Sequence, residues 1–194
     1  MTNDTSARIE TVQARPLLPD VIRSFAIVAG GVIVMTIAAK TQIPFYPVPM
    51  TLHTAAVMAF ALALSPRMSM AVFAAYLTAG AVGLPVFAGT PERGIGLAYM
   101  MGPTGGYLAG YLIASWLVAV LAAGRGTIGR VAAMLLGLAI VYACGVAWLV
   151  NFVPADKLFA MGVAPFVLGD LLKIALVAAG ASAVALLPGM RSRP

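Results

Sequence analysis

An aspartate and a lysine three residues apart, Asp170 and Lys173, stand inside Val167–Leu187 (VLGDLLKIALVAAGASAVALL), a run otherwise apolar and long enough to cross a bilayer. Each charge at a helix centre costs about 2.5–3.5 kcal/mol on insertion scales, so an acid and a base in such a run need protein, water or a ligand to face. At a spacing of i, i+3 the two lie about 60° apart around a helix and can reach each other or one shared ligand. Three uses fit: a buried ion pair, a carboxylate that relays a proton or coupling ion, and the polar floor of an apolar pocket that offers one acceptor and one cation.

Other chemistry is sparse. The chain has no nucleophile elbow, no paired histidine ligands and no Walker loop, so hydrolysis, group transfer and nucleotide binding have no support. Cys144 is the single cysteine; inside an apolar stretch it reads as a small buried side chain, which rules out an internal disulfide. His53, near the start of an apolar run, reads as a packed or interfacial histidine. Arg93 lies beside Glu92 in the middle of a glycine-rich stretch, where it is either a solvated loop residue or an anion-binding one.

The elements that must position these residues follow from composition. Of 194 residues 62% are hydrophobic and 9% charged, against roughly 25% charged in a soluble domain; the mean hydropathy is +1.01. The chain is therefore expected to be an all-α integral membrane protein. Its length accommodates roughly six spans of about 20 residues, one transmembrane domain over 21–190, with a cytoplasmic tail at 1–20 and a cytoplasmic end at 191–194. The twelve Lys and Arg residues are scattered and form no basic stripe, so nucleic acid is not an expected partner. The first twenty residues lack the apolar segment of a signal peptide.

Span one is expected over 21–39, two over 51–64, three over 68–82, four over 107–123, five over 131–150, and six over 167–187. Spans two and three are short, divided by Ser65-Pro66-Arg67. Span one carries Ala26, Gly30 and Gly31 on a smooth face, suited either to close packing within the chain or to docking a membrane partner. Between spans one and two, Thr41–Met50 (TQIPFYPVPM) has three prolines that exclude a helix; Phe45 and Tyr46 there are either interfacial anchors or part of a lid. Gly83–Gly106 is too apolar for a linker and, with seven glycines, is expected to form no helix but to fold back over a cavity.

With six spans both ends share a side. Eight basic residues then lie with the ends (Arg8, Arg15, Arg23, Arg67, Arg125, Arg130, Arg191, Arg193) against three on the other side (Lys40, Arg93, Lys157), which places both ends in the cytoplasm. The proline-rich and glycine-rich loops then meet outside, and Asp170 and Lys173 fall in the outer half of span six.

Four motifs, IPFYPVPMTL at 43–52, GAVGLPVFAG at 80–89, GPTGGYLAGYL at 102–112 and GDLLK at 169–173, resemble the BioY family, the biotin-specific membrane subunits of energy-coupling factor transporters, along nearly the whole chain. The chain departs from that pattern at Thr90-Pro91-Glu92, where a more glycine-rich run is usual, and at Leu168, where proline is frequent. The resemblance implies a non-enzymatic six-helix subunit of the cell membrane that captures biotin from outside, carries no cofactor, and works with a transmembrane coupling protein and two cytoplasmic ATPases. It also implies that Asp170 accepts ureido N–H bonds and that Lys173 donates to the ureido carbonyl or balances Asp170. Arg93 would hold the carboxylate, and Tyr46 and Tyr107 would line the cavity. Ala26 and Gly30 would form the docking face. An independent proton-coupled carrier using Asp170 and a membrane scaffold without a small ligand are the competing readings.

Overall fold

The computed structural model describes residues 17–43, 46–89 and 95–186. Among these the chain is a helical bundle with one two-residue antiparallel strand pair. Helix α1 spans Leu17–Lys40; strands β1 (Gln42–Ile43) and β2 (Met50–Thr51) pair Gln42 with Thr51; α2 is His53–Ala63, α3 Pro66–Ala81, α4 Leu97–Met101, α5 Gly105–Ala122, α6 Thr127–Leu149, α7 Leu158–Gly162 and α8 Ala164–Leu186. The tail and terminal segment expected at 1–20 and 191–194 fall largely outside the described residues; α1 starts four residues before the expected span, at Leu17.

The breaks between helices have local causes. Ser65 caps α3, its hydroxyl accepting from the Met68 amide at 3.4 Å, and Pro66 occupies the first turn, where its missing N–H costs nothing. After α3, Gly83 takes φ +95°, a conformation that a side chain would strain, and the Leu84 amide bonds back to Ala79 O at 3.1 Å.

Four stretches among the described residues are long and apolar enough to cross a membrane: Asp20–Lys40, Gly105–Ala122, Thr127–Leu149 and Ala155–Leu186. Their outward side chains are apolar, as Ile33 (61% exposed), Ile37 (60%) and Leu172 (61%) illustrate, which is how a helix facing lipid must look. The chain is a multi-pass membrane protein. Helix α2, with 11 residues, and α3, with 16, are shorter than a bilayer core of about 30 Å requires. The expected absence of helix in 83–106 is corrected by α4: there a five-residue helix, Leu97–Met101, follows Gly96 at φ +68°. Its glycines end helices instead of preventing them.

Glycine also sets how closely the helices approach. The α5–α6 contact is the most extensive in the bundle. A Cβ at Gly106 would strike Trp148 Cβ and Cys144 O, and one at Gly110 would lie 2.7 Å from Val141 Cα. Gly145 on α6 leaves room for the Tyr107 ring. On α1 the small residues divide: Gly31 packs against Val72 of α3, whereas Gly30 faces open space beside exposed Ala26. The expected smooth face therefore serves packing on one side and remains free on the other.

Gly106→Val is expected to lower stability by about 1–3 kcal/mol, through overpacking against α6. Gly30→Ala should leave it unchanged or raise it by up to about 1 kcal/mol, through helix propensity. Thermal denaturation of the detergent-purified protein checks both; equal losses would contradict the packing assignment.

Candidate functional site

Asp170 lies on α8 six residues after its start, 4% exposed, and Lys173 one turn on is 9% exposed. Burial so deep is tolerable because every formal charge is met. Lys173 Nζ donates to Asp170 Oδ1 at 2.8 Å and to the backbone carbonyl of Thr51, on β2, at 2.7 Å. Asp170 Oδ2 accepts from the Tyr142 hydroxyl of α6 at 2.7 Å. Three elements, α8, α6 and the end of β2, thus converge on one ion pair.

An ammonium has three donors, and two are spent, leaving one. Each carboxylate oxygen receives one bond in the structure and retains a second lone-pair direction. The pair therefore presents one donor beside two acceptor positions. A cyclic urea can use the ammonium donor through its carbonyl and the carboxylate through one adjacent N–H, and bonds to ionised partners are the strong kind.

These groups open into a cavity lined by Val48, Pro49, Met50 and Thr51 from the proline-rich segment, with Thr54, Thr104, Tyr107, Tyr111, Tyr142 and Phe166 around the ion pair. The wall is mainly apolar and aromatic. The cavity is small, about 30 Å³. In this conformation the cavity suits water or a small polar group, so a bicyclic ligand would enter only with movement of its lining.

Tyr107 lines the cavity, but its hydroxyl is already committed, donating to Gly162 O at 2.7 Å; it contributes its ring. Tyr46 requires a correction. Its side chain is 81% exposed, and the segment first reaches the cavity at Val48, which is buried. Residues 46–48 form bends between the two strands, so Tyr46 and Val48, two positions apart, do not share a face as they would in a strand. Arg93 lies outside the described residues. Ala26 and Gly30 are on the exposed side of α1, away from the cavity lining. His53 is buried as a packed histidine, in agreement with the reading from sequence.

Tyr142, Tyr111, Thr54 and Thr51 were missed. A signal was present for one of them: Tyr107 and Tyr111 are i, i+4 on α5 and must share a face. Tyr111 bonds Thr54 Oγ1 through its hydroxyl at 2.8 Å. The glycine-rich connection is tied down on both sides of its undescribed centre. Tyr76 and Tyr99 donate to Val86 O and Ala88 O, each at 3.3 Å, Phe87 stacks on Tyr99 with centroids 5.0 Å apart, and Trp148 Nε1 donates to Gly102 O at 2.9 Å. No group of three metal-ligating side chains occurs among the described residues.

Comparison with known proteins places this geometry. The family model described as the BioY family matches residues 5–188. A probable biotin transporter BioY of Pyrococcus horikoshii is 35% identical over 153 residues, covering 79% of this chain and 90% of the relative. A biotin transporter BioY of Thermotoga maritima is 36% identical over 147 residues, covering 74% and 85%. A crystal structure of the S-component for biotin from an ECF-type ABC transporter superposes with a TM-score of 0.72 at 24% identity, covering 88% of this chain and 95% of that one, and shares the fold.

Lys173→Met alone, which strands a buried carboxylate, is expected to cost about 3–5 kcal/mol of stability, and adding Asp170→Leu should recover most of it. Thermal melts of the single and double variants without ligand test this; an additive loss would mean the charges do not depend on each other.

Proposed function

Since the chain belongs to the BioY family, we propose that it is the biotin-capturing membrane subunit of an energy-coupling factor transporter. It is a transport protein and not an enzyme, and biotin is its cargo. The observation that carries this reading is the donor and acceptor count at the ion pair: one free Lys173 donor and two open Asp170 lone pairs, at the floor of an aromatic and apolar cavity. The ureido ring supplies an N–H group to Asp170 and its adjacent carbonyl to Lys173, while the fused apolar ring packs against Tyr107, Tyr111 and Phe166. Arg93 is the residue we assign to the ligand carboxylate.

In this reading six helices, with α2 and α3 as the short pair, form a single domain over 21–190 in the cell membrane. Both ends are cytoplasmic, and the cavity opens outward between the proline-rich and glycine-rich loops. The excess of basic residues on the side of the ends supports that orientation. A transmembrane coupling protein with two cytoplasmic ATPases energises uptake. The exposed, unobstructed Ala26 and Gly30 of α1 support a docking face there, because a small-residue stripe lets a partner helix approach closely.

Calorimetry on the purified protein is expected to detect biotin binding in preference to thiamine and riboflavin, and Asp170→Asn to weaken it by about 10- to 100-fold while the protein remains folded. A folded wild type that ignores biotin would contradict the reading. Replacing Ala26 and Gly30 together by leucine should abolish co-purification with the energising subunits and leave biotin affinity unchanged; retained co-purification would remove the docking assignment.

A further inference from the structure

The Lys173 ammonium reaches the cavity on a flexible four-carbon stem, so what aims its remaining donor matters as much as its charge. Two acceptors do this, Asp170 Oδ1 and Thr51 O. The Asp170 bond is local, within one helix. The Thr51 bond joins α8 to the junction of β2 and α2, 122 residues away in the chain, and the direction of the ammonium depends on that carbonyl staying where it is.

Thr51 is held from behind. Its hydroxyl oxygen accepts the His53 amide at 3.2 Å and meets His53 Nδ1 at 2.9 Å. His53 Nε2 in turn meets the Tyr76 hydroxyl at 2.8 Å, and that hydroxyl donates to Val86 O at 3.3 Å. With the Tyr76 proton assigned to Val86 O, Tyr76 accepts from His53 Nε2–H, and a neutral His53 has a bare Nδ1 that accepts from the Thr51 hydroxyl; the reverse tautomer keeps the same contacts with the donors exchanged. Every buried polar atom on this path has a partner, which is the condition under which a buried network rigidifies its surroundings.

The path lies outside the cavity. His53, 5% exposed, and Tyr76, fully buried, are absent from the lining, which passes instead through Thr51, Thr54 and Tyr111. The two rings pack edge to face at 5.4 Å, and His53 stands 5.8 Å from the Tyr111 ring. They form a wall behind the wall. A histidine and a tyrosine inside apolar helices could be replaced there by apolar side chains of similar size if packing were all they supplied; the hydrogen bonds add direction.

We propose that His53 and Tyr76 are positioning residues for the ligand, which act through Thr51 to hold the carbonyl that aims the Lys173 ammonium. The assignment rests on the biotin reading given above and deepens it: these residues tune how the site reads the ureido carbonyl without touching it. Removing the Tyr76 hydroxyl loosens His53 and then the Thr51 hydroxyl, leaving the peptide whose oxygen holds Lys173 tethered by its Leu52 N–H to Ala38 O at 3.1 Å without the support of the Thr51 side chain.

The test uses the full chain in nanodiscs, with biotin and its analogue bearing sulfur in place of the ureido oxygen, a poorer acceptor. Tyr76→Phe keeps the ring contacts with Phe73 and Phe87, and Thr51→Val removes the same link from the other end. Each is expected to weaken biotin binding about tenfold and to reduce the preference for biotin over the sulfur analogue, as Lys173→Met does. Phe73→Leu, which loosens the same aromatic cluster without breaking the path, should lower the melting temperature and keep the preference. Folded Tyr76→Phe and Thr51→Val with wild-type affinity and preference would overturn the proposal. Lys173 reactivity toward reductive methylation, followed by mass spectrometry against exposed Lys157, reads the same effect without biotin. If the wild type fails to bind biotin, faster Lys173 modification in Tyr76→Phe would sustain the positioning role while the transport reading falls, and an unchanged rate would overturn the positioning role too.

Discussion

A carboxylate and an ammonium cannot remain ionised among apolar helices unless nearly all their hydrogen-bonding capacity is met, and the rest of the structure depends on meeting it. Asp170 and Lys173 neutralise each other, but their pairing alone is one bond. Tyr142 of α6 and the Thr51 carbonyl supply the others, so α8 can carry its charges only when α6 and the β2–α2 junction are in place. The same requirement leaves a calculated remainder. One ammonium donor and the second lone pairs of the carboxylate are unspent where Asp170 and Lys173 line the cavity, and that remainder is what a ligand can use.

Glycine and proline make this convergence possible by controlling approach. Without side chains at Gly106 and Gly110, α5 lies against α6 closely enough to bring Tyr107, Tyr111 and Tyr142 around one space. The prolines of the segment after α1 exclude a helix there, so that the chain turns back between β1 and β2 and Val48, Pro49 and Met50 line the cavity beside the ion pair. Gly83 and Gly96, both at positive φ, turn the chain out of α3 and into α4, which lets Phe87 and Tyr99 stack. The site is thus assembled from contacts distant in sequence, held by a scaffold whose outward surface is matched to lipid.

Much of the scaffold was legible in the sequence because apolar length and breaker residues are local signals. The helices begin and end within a few residues of the expected spans, and the acid and base of span six meet as an ion pair. Two errors have physical causes. Glycine density over 83–106 was read as excluding helix, yet glycines at 96 and 102 bracket a five-residue helix, since terminal glycine caps as readily as it breaks. Tyr46 was assigned to the cavity from its neighbours, but it lies in the bends between β1 and β2, where no strand alternation fixes which side chains face inward. Tyr142 and the Thr51 carbonyl were not legible at all: a tyrosine in an apolar span has many partners open to it, and a backbone carbonyl leaves no mark in sequence.

The central claim is that the open valences of the Asp170–Lys173 pair hold the ureido ring of biotin. A crystal structure of this chain with biotin bound tests it most directly. The account predicts one ureido nitrogen within hydrogen-bond distance of the Asp170 carboxylate, the ureido oxygen within reach of Lys173 Nζ, and the Lys173 bond to Thr51 O retained. Biotin seated elsewhere, with the ion pair closed and untouched, would contradict it.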